Sequence, residues 1–502
     1  MWLTFARYHF GWLILVALIP LFSFIYQTNQ IKKWSDKKVV LFVWLAGVVF
    51  FLLNQSFLIN ARPNDWTIDR AATTVASFVM WLVVALFYSM GFFVFGWLSL
   101  RLRSWNKLKG LYLLTIPTIW IISEYLRSWA VSLGFLGGSV TLGPNWNFGN
   151  GGFGAITTFL APASRIVGLY GLSFLAVCAN LSLFLLWRQK WRFATFTIIV
   201  STVMVVAGSY YTPSGGSPIG VVAINLDPIS RVNYRLLLKI NIDLHPEIKD
   251  QTKLLVLPEY VEFFDKSAKD VSDQAAILHD LFKDNAGVVI SSHQKITPEG
   301  SKAELVYKNR FNQVLSAQEK SFLVPGGEFM PYLMQGELYL TAQGATVREF
   351  EKSVALKKAD HLETPVTVDG VSYGGLMCSG IVSPELYRRL ANQGANVLIN
   401  STSLSAFTDK SLFHEQAQQI LRFDAMANAK PFIQSAIGSR SYIIDSNGNF
   451  LKIAMPGKFA VVYDKITPSS TKTPYTRFGE LVVPLSIIFL LWVLVRRFRL
   501  SK

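Results

Sequence analysis

The chain has 502 residues, 51% hydrophobic and only 16% charged, with a net charge of +16 and a mean hydropathy of +0.34. That is too apolar for one soluble globular protein, and the apolar residues are gathered in runs, so a membrane part and a soluble part are expected. The positive charge sits in short clusters beside those runs, KKWSDKK, RLRSWNKLK, RQKWR and RRFRLSK. This is the pattern of cytoplasmic membrane anchors and argues against nucleic acid as a partner.

Six apolar runs come first, near 10–26, 38–59, 71–99, 108–128, 160–187 and 191–211. A spanning helix needs about 20 apolar residues, and most of the runs reach that length, the first being short. No small-residue cleavage site follows the first run and more runs come after it, so it does not read as a signal peptide. Lysine and arginine are concentrated at 27–38, 100–107 and 188–192, whereas 60–70 balances Arg62 and Arg70 against Asp65 and Asp69, and 129–159 carries no charge. The excess marks the first three loops as cytoplasmic, which places the N-terminus and everything between 212 and the last run on the outer side. That last run, about 480–495, ends in Arg496, Arg497 and Arg499 and returns the chain to the cytoplasm.

Within the fourth run, WIISEYLRSW carries Glu124 and Arg127. Ionisable groups at membrane depth are costly unless paired or facing water, so these two are either functional or a pair that orients the helix end. The loop GFLGGSVTLGPNWNFGNGGFG that follows is rich in glycine and aromatics and is expected to dip into the interface beside the soluble domain.

From about 216 to 466 the pattern changes. Short β-rich runs (IGVVAIN, KLLVLPE, AGVVISS, NVLINS and SYIID) alternate with helical stretches such as 272–284 and 412–427, and DSNGN at 445–449 reads as a turn. Short strands separated by helices indicate an α/β domain, with antiparallel hairpins also allowed by the pattern. Cys178 lies in an apolar run and Cys378 in the α/β part, so they do not form a disulfide. No Cys/His spacing supports a metal site.

A lone cysteine is more often an inert core residue than a nucleophile. Cys378, however, ends the apolar run YGGLM and is followed by a turn through SGIVSPEL. A thiolate there needs a neighbour that takes its proton or lowers its pKa. Glu259 ends the run LLVLP, at the strand end where α/β sheets carry their sites, and suits a general base. Lys320, before FLVPGGEFMPY, suits a fixed cation beside a developing oxyanion, and Glu328 in the Pro-Gly-Gly-Glu turn suits a group that orients it. Taken singly, each reads as an ordinary loop, turn or solvated residue.

The ordered set LPE, KSFLVPGGE and CSGIVSPEL resembles the nitrilase (carbon–nitrogen hydrolase) superfamily, whose triad is Glu, Lys and Cys. With several spans before the α/β part, one after it, WIISEYLRSW and TPYTRFGE, nearly the whole chain is similar to the apolipoprotein N-acyltransferase family. The resemblance implies an α-helical membrane bundle plus an α-β-β-α nitrilase-like sandwich. It divides the chain into 1–212, with about six membrane helices, 216–466, the extracytoplasmic catalytic domain, and 478–497, a last membrane helix. It implies Glu259 as general base, Lys320 as oxyanion stabiliser and Cys378 as nucleophile, with Glu328, Glu385 and Tyr234 in support. The expected reaction moves an acyl chain from a phospholipid through a Cys378 thioester to the α-amino group of a lipoprotein's diacylglyceryl-cysteine. The expected setting is the outer, periplasmic face of a bacterial inner membrane, with no metal, no soluble cofactor and a monomeric protein. Two alternatives share the fold: a membrane-tethered amidase, and a catalytically impaired lipoprotein-binding homologue.

The sequence also departs from the family pattern. Ser379 and Gly380 stand where the family has Tyr-Glu. Asn400-Ser-Thr-Ser-Leu-Ser replaces Asn-Asp-Ala-Trp-Phe-Gly, Ile437-Gly438-Ser439 replaces Asn-Asn-Gly, and Tyr234 replaces a tryptophan. The family's first spanning helix has no counterpart in the runs above.

Overall fold

Long apolar runs fill the first two-fifths of the chain and short β-rich runs alternate with helical stretches after it, and a computed structural model shows both parts. It describes all residues except 32–33, 60–69, 103–109, 190, 228–229, 231–232, 262–267, 284–285, 299, 342, 408–411 and 501–502. Lys32, Lys33, Arg62, Asp65, Asp69, Arg103, Lys107 and Lys190, which entered the charge reading of the loops, lie outside the described residues.

Among the described residues, Tyr8–Gln30, Ser77–Arg101, Ala161–Leu186 and Trp191–Ser209 are long and apolar enough to cross a membrane. The first is a 3₁₀ segment, Tyr8–Leu15, that leads into the helix Ile19–Ile31. The runs expected at 38–59 and 108–128 fall on the helices Asp36–Asn54 and Thr115–Gly134, and the last run on Val482–Leu500, whose apolar portion is the shorter Val482–Arg496.

The helix Ser164–Leu186 is broken at Gly168, where φ is 68°. A break exposes the N–H groups of a new helix start, and these need acceptors. Glu480, from the segment before the last helix, supplies them: its carboxylate accepts from Leu169 N at 2.8 Å and Tyr170 N at 3.1 Å. A Cβ at position 168 would lie 2.6 Å from Glu480 Oε2, so both the backbone angle and the close approach require glycine.

The α/β part contains β1 (Ile219–Leu226), β2 (Thr252–Val256), β3 (Val288–Thr297), β4 (Gly300–Asn309), β5 (Val314–Glu319), β6 (Val366–Val368), β7 (Val371–Met377), β8 (Val397–Ser403), β9 (Phe432–Ile437), β10 (Tyr442–Ile444), β11 (Phe450–Ile453) and β12 (Ala460–Ile466). Their order is β5-β4-β3-β2-β1-β9-β8-β7-β6, with β12 paired to β1 and β10 to β9 and β11. The inner pairs β1–β2, β2–β3, β1–β9, β8–β9 and β7–β8 are parallel, while β3–β4–β5, β6–β7 and β10–β11 are antiparallel hairpins. The expected turn at 445–449 joins β10 to β11, with Asp445 Oδ1 accepting from Asn447 N and Asn449 N.

Alternation along the strands builds the layers, because successive side chains point to opposite faces. Val221, Ala223, Leu254 and Val256 meet Val397, Ile399 and Ile433 in one core between the two halves of the sheet. Val222, Ile224 and Leu255 point the other way, against the helices Tyr234–Leu244 and Ala268–Phe282. Leu398 and Phe432 face the helices Pro384–Asn392 and Leu412–Asn428, whose apolar residues share a single cluster with the N-terminal helices. The result is an α-β-β-α sandwich with one helical layer resting on the apolar bundle.

Candidate active site

Three chain segments end at one point. Glu259 leaves β2 two residues after Leu257, Lys320 follows β5, and Cys378 terminates β7. Parallel β2 and β7 deliver their C-terminal ends to the same side of the sandwich, which is why strand-end residues so distant in sequence meet there.

Lys320 Nζ lies 3.2 Å from Glu259 Oε1 and 2.6 Å from Glu328 Oε1, and both Glu259 and Lys320 are only 1% exposed. Charges so buried persist only when paired and hydrogen-bonded. Here the remaining oxygens are satisfied too: Glu259 Oε2 accepts from Ser403 N at 3.0 Å and Glu328 Oε2 from Val324 N at 2.8 Å. Burial opposes the lysine's charge, but Glu259 and Glu328 outweigh it and hold the ammonium's pKa well above its ordinary value. Burial also raises the Glu259 carboxyl, Lys320 opposing, which makes the carboxylate a stronger base than a solvated one.

Cys378 takes a left-handed backbone conformation, φ 40°, at the end of β7. Such a residue is strained and is held in place by its surroundings. The residue is partly exposed, and its thiol lies 3.6 Å from Ser403 O and interacts with the Glu259 carboxylate. Burial and Glu259 push the thiol's pKa up while Lys320 pulls against them. The thiol is therefore protonated at rest, so a reaction at Cys378 needs a base at the moment of attack, and Glu259 is the adjacent one.

The structure thus brings Glu259, Lys320, Glu328 and Cys378 together. The described contacts of Tyr234 and Glu385 lie elsewhere. Tyr234 opens its helix in the apolar layer with Leu226, Leu238 and Ile437. Glu385 forms a two-pronged pair with Arg388, 2.7 Å on each side, and a further contact with Arg389; Arg388 in turn donates to Thr476 O at 2.8 Å. Glu385 thereby ties its helix to the TPYTRF segment. Its replacement by alanine is expected to lower the thermal midpoint of the detergent-solubilised protein by a few degrees, for a loss of about 1 kcal/mol. Chemistry at Cys378 should stay within about threefold, a split that paired melting and rate measurements would check.

One member of the surroundings has no sequence signal. Glu363, in the irregular stretch HLETP, is buried and accepts from Ser321 N at 2.9 Å and from Ser321 Oγ, locking the residue next to Lys320. Ser403, which caps Glu259 through its backbone, is equally silent, because a backbone donor leaves no trace in residue type.

The departures from the family pattern have local explanations. The segment Cys378–Val382 is a 3₁₀ turn in which Ser379 Oγ donates to Phe322 O. A Cβ on Gly380 would lie 2.6 Å from Leu376 Cβ, so the backbone here packs where a side chain would go. Gly380→Glu, which would return the family's acid, is expected to destabilise the protein by about 1–3 kcal/mol through overpacking and not to raise activity; melting curves and turnover would check this. Ser439 Oγ and His414 Nδ1 are 2.9 Å apart, and Asn400 Nδ2 donates to Tyr387 OH at 2.9 Å, so both diverged loops keep buried polar partners.

Both parts of the chain match known families. Residues 1–182 match the apolipoprotein N-acyltransferase N-terminal domain family and residues 279–474 the carbon-nitrogen hydrolase family. The apolipoprotein N-acyltransferase of Rickettsia prowazekii is 24% identical, over 95% of this chain and 94% of its own. That of Pasteurella multocida is also 24% identical, over 92% and 88%. Among solved structures, a carbon-nitrogen hydrolase from Helicobacter pylori G27 is similar over 54% of this chain and 93% of its own, with 17% identity and a TM-score of 0.36. The two family matches and the relatives aligned over nearly the whole chain lead to one conclusion: the chain belongs to the apolipoprotein N-acyltransferase family, its α/β part matching the carbon-nitrogen hydrolase family.

Proposed function

We propose that this protein transfers an acyl chain from a phospholipid, through a thioester on Cys378, to the α-amino group of the N-terminal diacylglyceryl-cysteine of lipoproteins. The observation that carries the reading is the buried Glu259–Lys320–Glu328 charge group touching Cys378, with Cys378 itself packed against the apolar cluster that includes the N-terminal helices. Lipid and lipoprotein substrates both reach such a seam from a membrane.

In the first half-reaction Glu259 takes the thiol proton as Cys378 Sγ attacks the ester carbonyl. Lys320 faces the oxyanion that forms, a fixed cation in a dry site. Collapse breaks the ester C–O bond, and the lysophospholipid leaves with the proton returned by Glu259. In the second half the lipoprotein amine attacks the thioester, the C–S bond breaks, and the amine's proton passes by way of Glu259 to the departing sulfur. Splitting one acyl transfer into two lowers each barrier. Glu328 orients Lys320. In this reading residues 1–212 and 478–497 hold the protein in a bacterial inner membrane, 216–466 stands on the periplasmic side, and the protein acts as a monomer.

The test is intact-mass spectrometry of the purified protein after incubation with phospholipid, with Cys378→Ala as control. A hydroxylamine-labile acyl adduct on Cys378 that moves to a diacylglyceryl-cysteine peptide is expected. An adduct lost only to water would replace the transferase with a hydrolase. No adduct with any common phospholipid would leave a lipoprotein-binding homologue.

A further inference from the structure

The loop after the Thr115–Gly134 helix does more than lie at an interface, as the sequence suggested. Residues 145–155 are buried, and the loop is gripped from both sides. On the bundle side, Glu124 Oε1 accepts from Gly151 N at 3.0 Å. Arg127 Nη2 donates to Phe148 O at 3.2 Å and to Asn150 Oδ1, its guanidinium 5.0 Å from the Phe51 ring centre. Glu124 and Arg127, which the sequence left open as functional or helix-orienting, both spend their hydrogen bonds on this loop, Glu124 with one more from Trp120 Nε1.

On the α/β side the same loop touches both arms of the site. Asn147 N donates to Val382 O at 3.3 Å, and Ser383 Oγ to Asn145 Oδ1 at 3.1 Å, so the loop holds the far end of the Cys378 turn. Thr141 Oγ1 donates to Ser321 O at 2.8 Å, and the Trp146 ring lies 4.9 Å from that of Phe322, so it also holds the strand end that carries Lys320. Ser379 Oγ, donating to Phe322 O, closes the circuit between the arms. A strained Cys378 backbone persists only if its surroundings over-determine it, and this loop supplies several of the restraints.

We propose that Glu124 and Arg127 are positioning residues: by gripping the loop, they fix the Cys378 turn against the Lys320 strand end. Their effect on turnover rests on Cys378 being the nucleophile, as proposed above; their effect on the geometry of Cys378 does not.

The experiment uses the full chain in detergent and reads alkylation of Cys378 by iodoacetamide at its own peptide, across pH, alongside thioester formation with phospholipid. Arg127→Lys keeps the charge but not the forked donor. Ser383→Ala removes one contact between loop and turn and serves if the buried Arg127 variant does not fold. In folded variants the alkylation rate of Cys378 is expected to change at least about fivefold and its pH midpoint to move, because its distances to Glu259 and Lys320 change. Thioester formation should fall about 100-fold in Arg127→Lys, the usual consequence of a displacement near 1 Å. Folded variants with the wild-type alkylation rate and pH midpoint would overturn the proposal and leave the loop a structural strut. A wild type that forms no thioester, while the variants still shift Cys378 alkylation, would uphold the positioning and overturn the acyltransferase reading instead.

Discussion

Lys320→Met is expected to be the most damaging single substitution in the α/β part, in stability as well as in rate. The lysine is the cation at 3.2 Å from Glu259 and 2.6 Å from Glu328, in a pocket where it is 1% exposed. Removing one partner of a buried ion pair costs about 3–5 kcal/mol, because the other charge is left without compensation. Here two carboxylates are left. Glu259, whose carboxyl burial already raises against the opposing Lys320, relieves the cost by staying protonated, which keeps its folded pKa above that of the unfolded chain. A carboxyl with a raised folded pKa contributes stability that is complete below the unfolded pKa and is lost as pH rises through the folded one. The thermal midpoint of Lys320→Met should therefore fall further below wild type as pH rises from acid to neutral. A deficit independent of pH would mean that the two carboxylates do not depend on Lys320. In rate, loss of an oxyanion-facing cation is expected to cost at least about 10²–10³-fold in thioester formation.

Glu259→Gln should stop the chemistry and also lower stability, because it removes one charge partner of the buried Lys320. An amide keeps one oxygen, for either Ser403 N or Lys320 Nζ, sets its NH2 against the other donor, and cannot take a proton. Burial and neighbouring Glu259 already hold the Cys378 thiol above its ordinary pKa, so little thiolate exists at neutral pH. General-base catalysis contributes about 10²–10⁴-fold, and thioester formation is expected to drop by that amount. The pH dependence gives a sharper signature. In wild type the rate rises with pH as Glu259 loses its proton, with a midpoint displaced upward from ordinary carboxylates because burial raises it. In Glu259→Gln that limb should vanish, and the residual rate should climb only at alkaline pH, where the thiol ionises unaided. A retained acid limb in the variant would reassign the base, with Glu328 the next carboxylate to test.

Much of the site can be read from residue order because strand ends are encoded locally. LLVLP before Glu259 and YGGLM before Cys378 are apolar runs too short for helices, the second followed by a turn through small residues. Parallel pairing then carries such ends to one side of the sheet. Glu363 and Ser403 are not legible in this way, one standing in an unpatterned stretch and the other acting through its backbone. Glu124 and Arg127 were visible as costly charges in an apolar run, but their target was not. They act on a loop whose Asn145 meets Ser383 across 238 residues of chain. The loop itself was expected at an interface from its aromatics; those aromatics proved to be packing for Phe322 and for the bundle.

What the sequence determined by itself is therefore the run pattern and its consequences: apolar helices first, an α/β unit after them, and a short set of residues at strand ends. These follow from the length and composition of local runs, about 20 apolar residues for a spanning helix and a few β-rich residues for a strand, which a single window of the chain contains. What only the tertiary structure decided is partnership. It paired Lys320 with two carboxylates, committed Glu385 to Arg388 and the TPYTRF segment, filled the space beside Gly380 with Leu376, and closed the break at Gly168 with Glu480. The pairs Glu259–Lys320, Arg388–Thr476 and Glu480–Leu169 join atoms of distant segments, brought together by burial of the apolar cores. Contact of that kind is a property of packing, which local residue order does not contain.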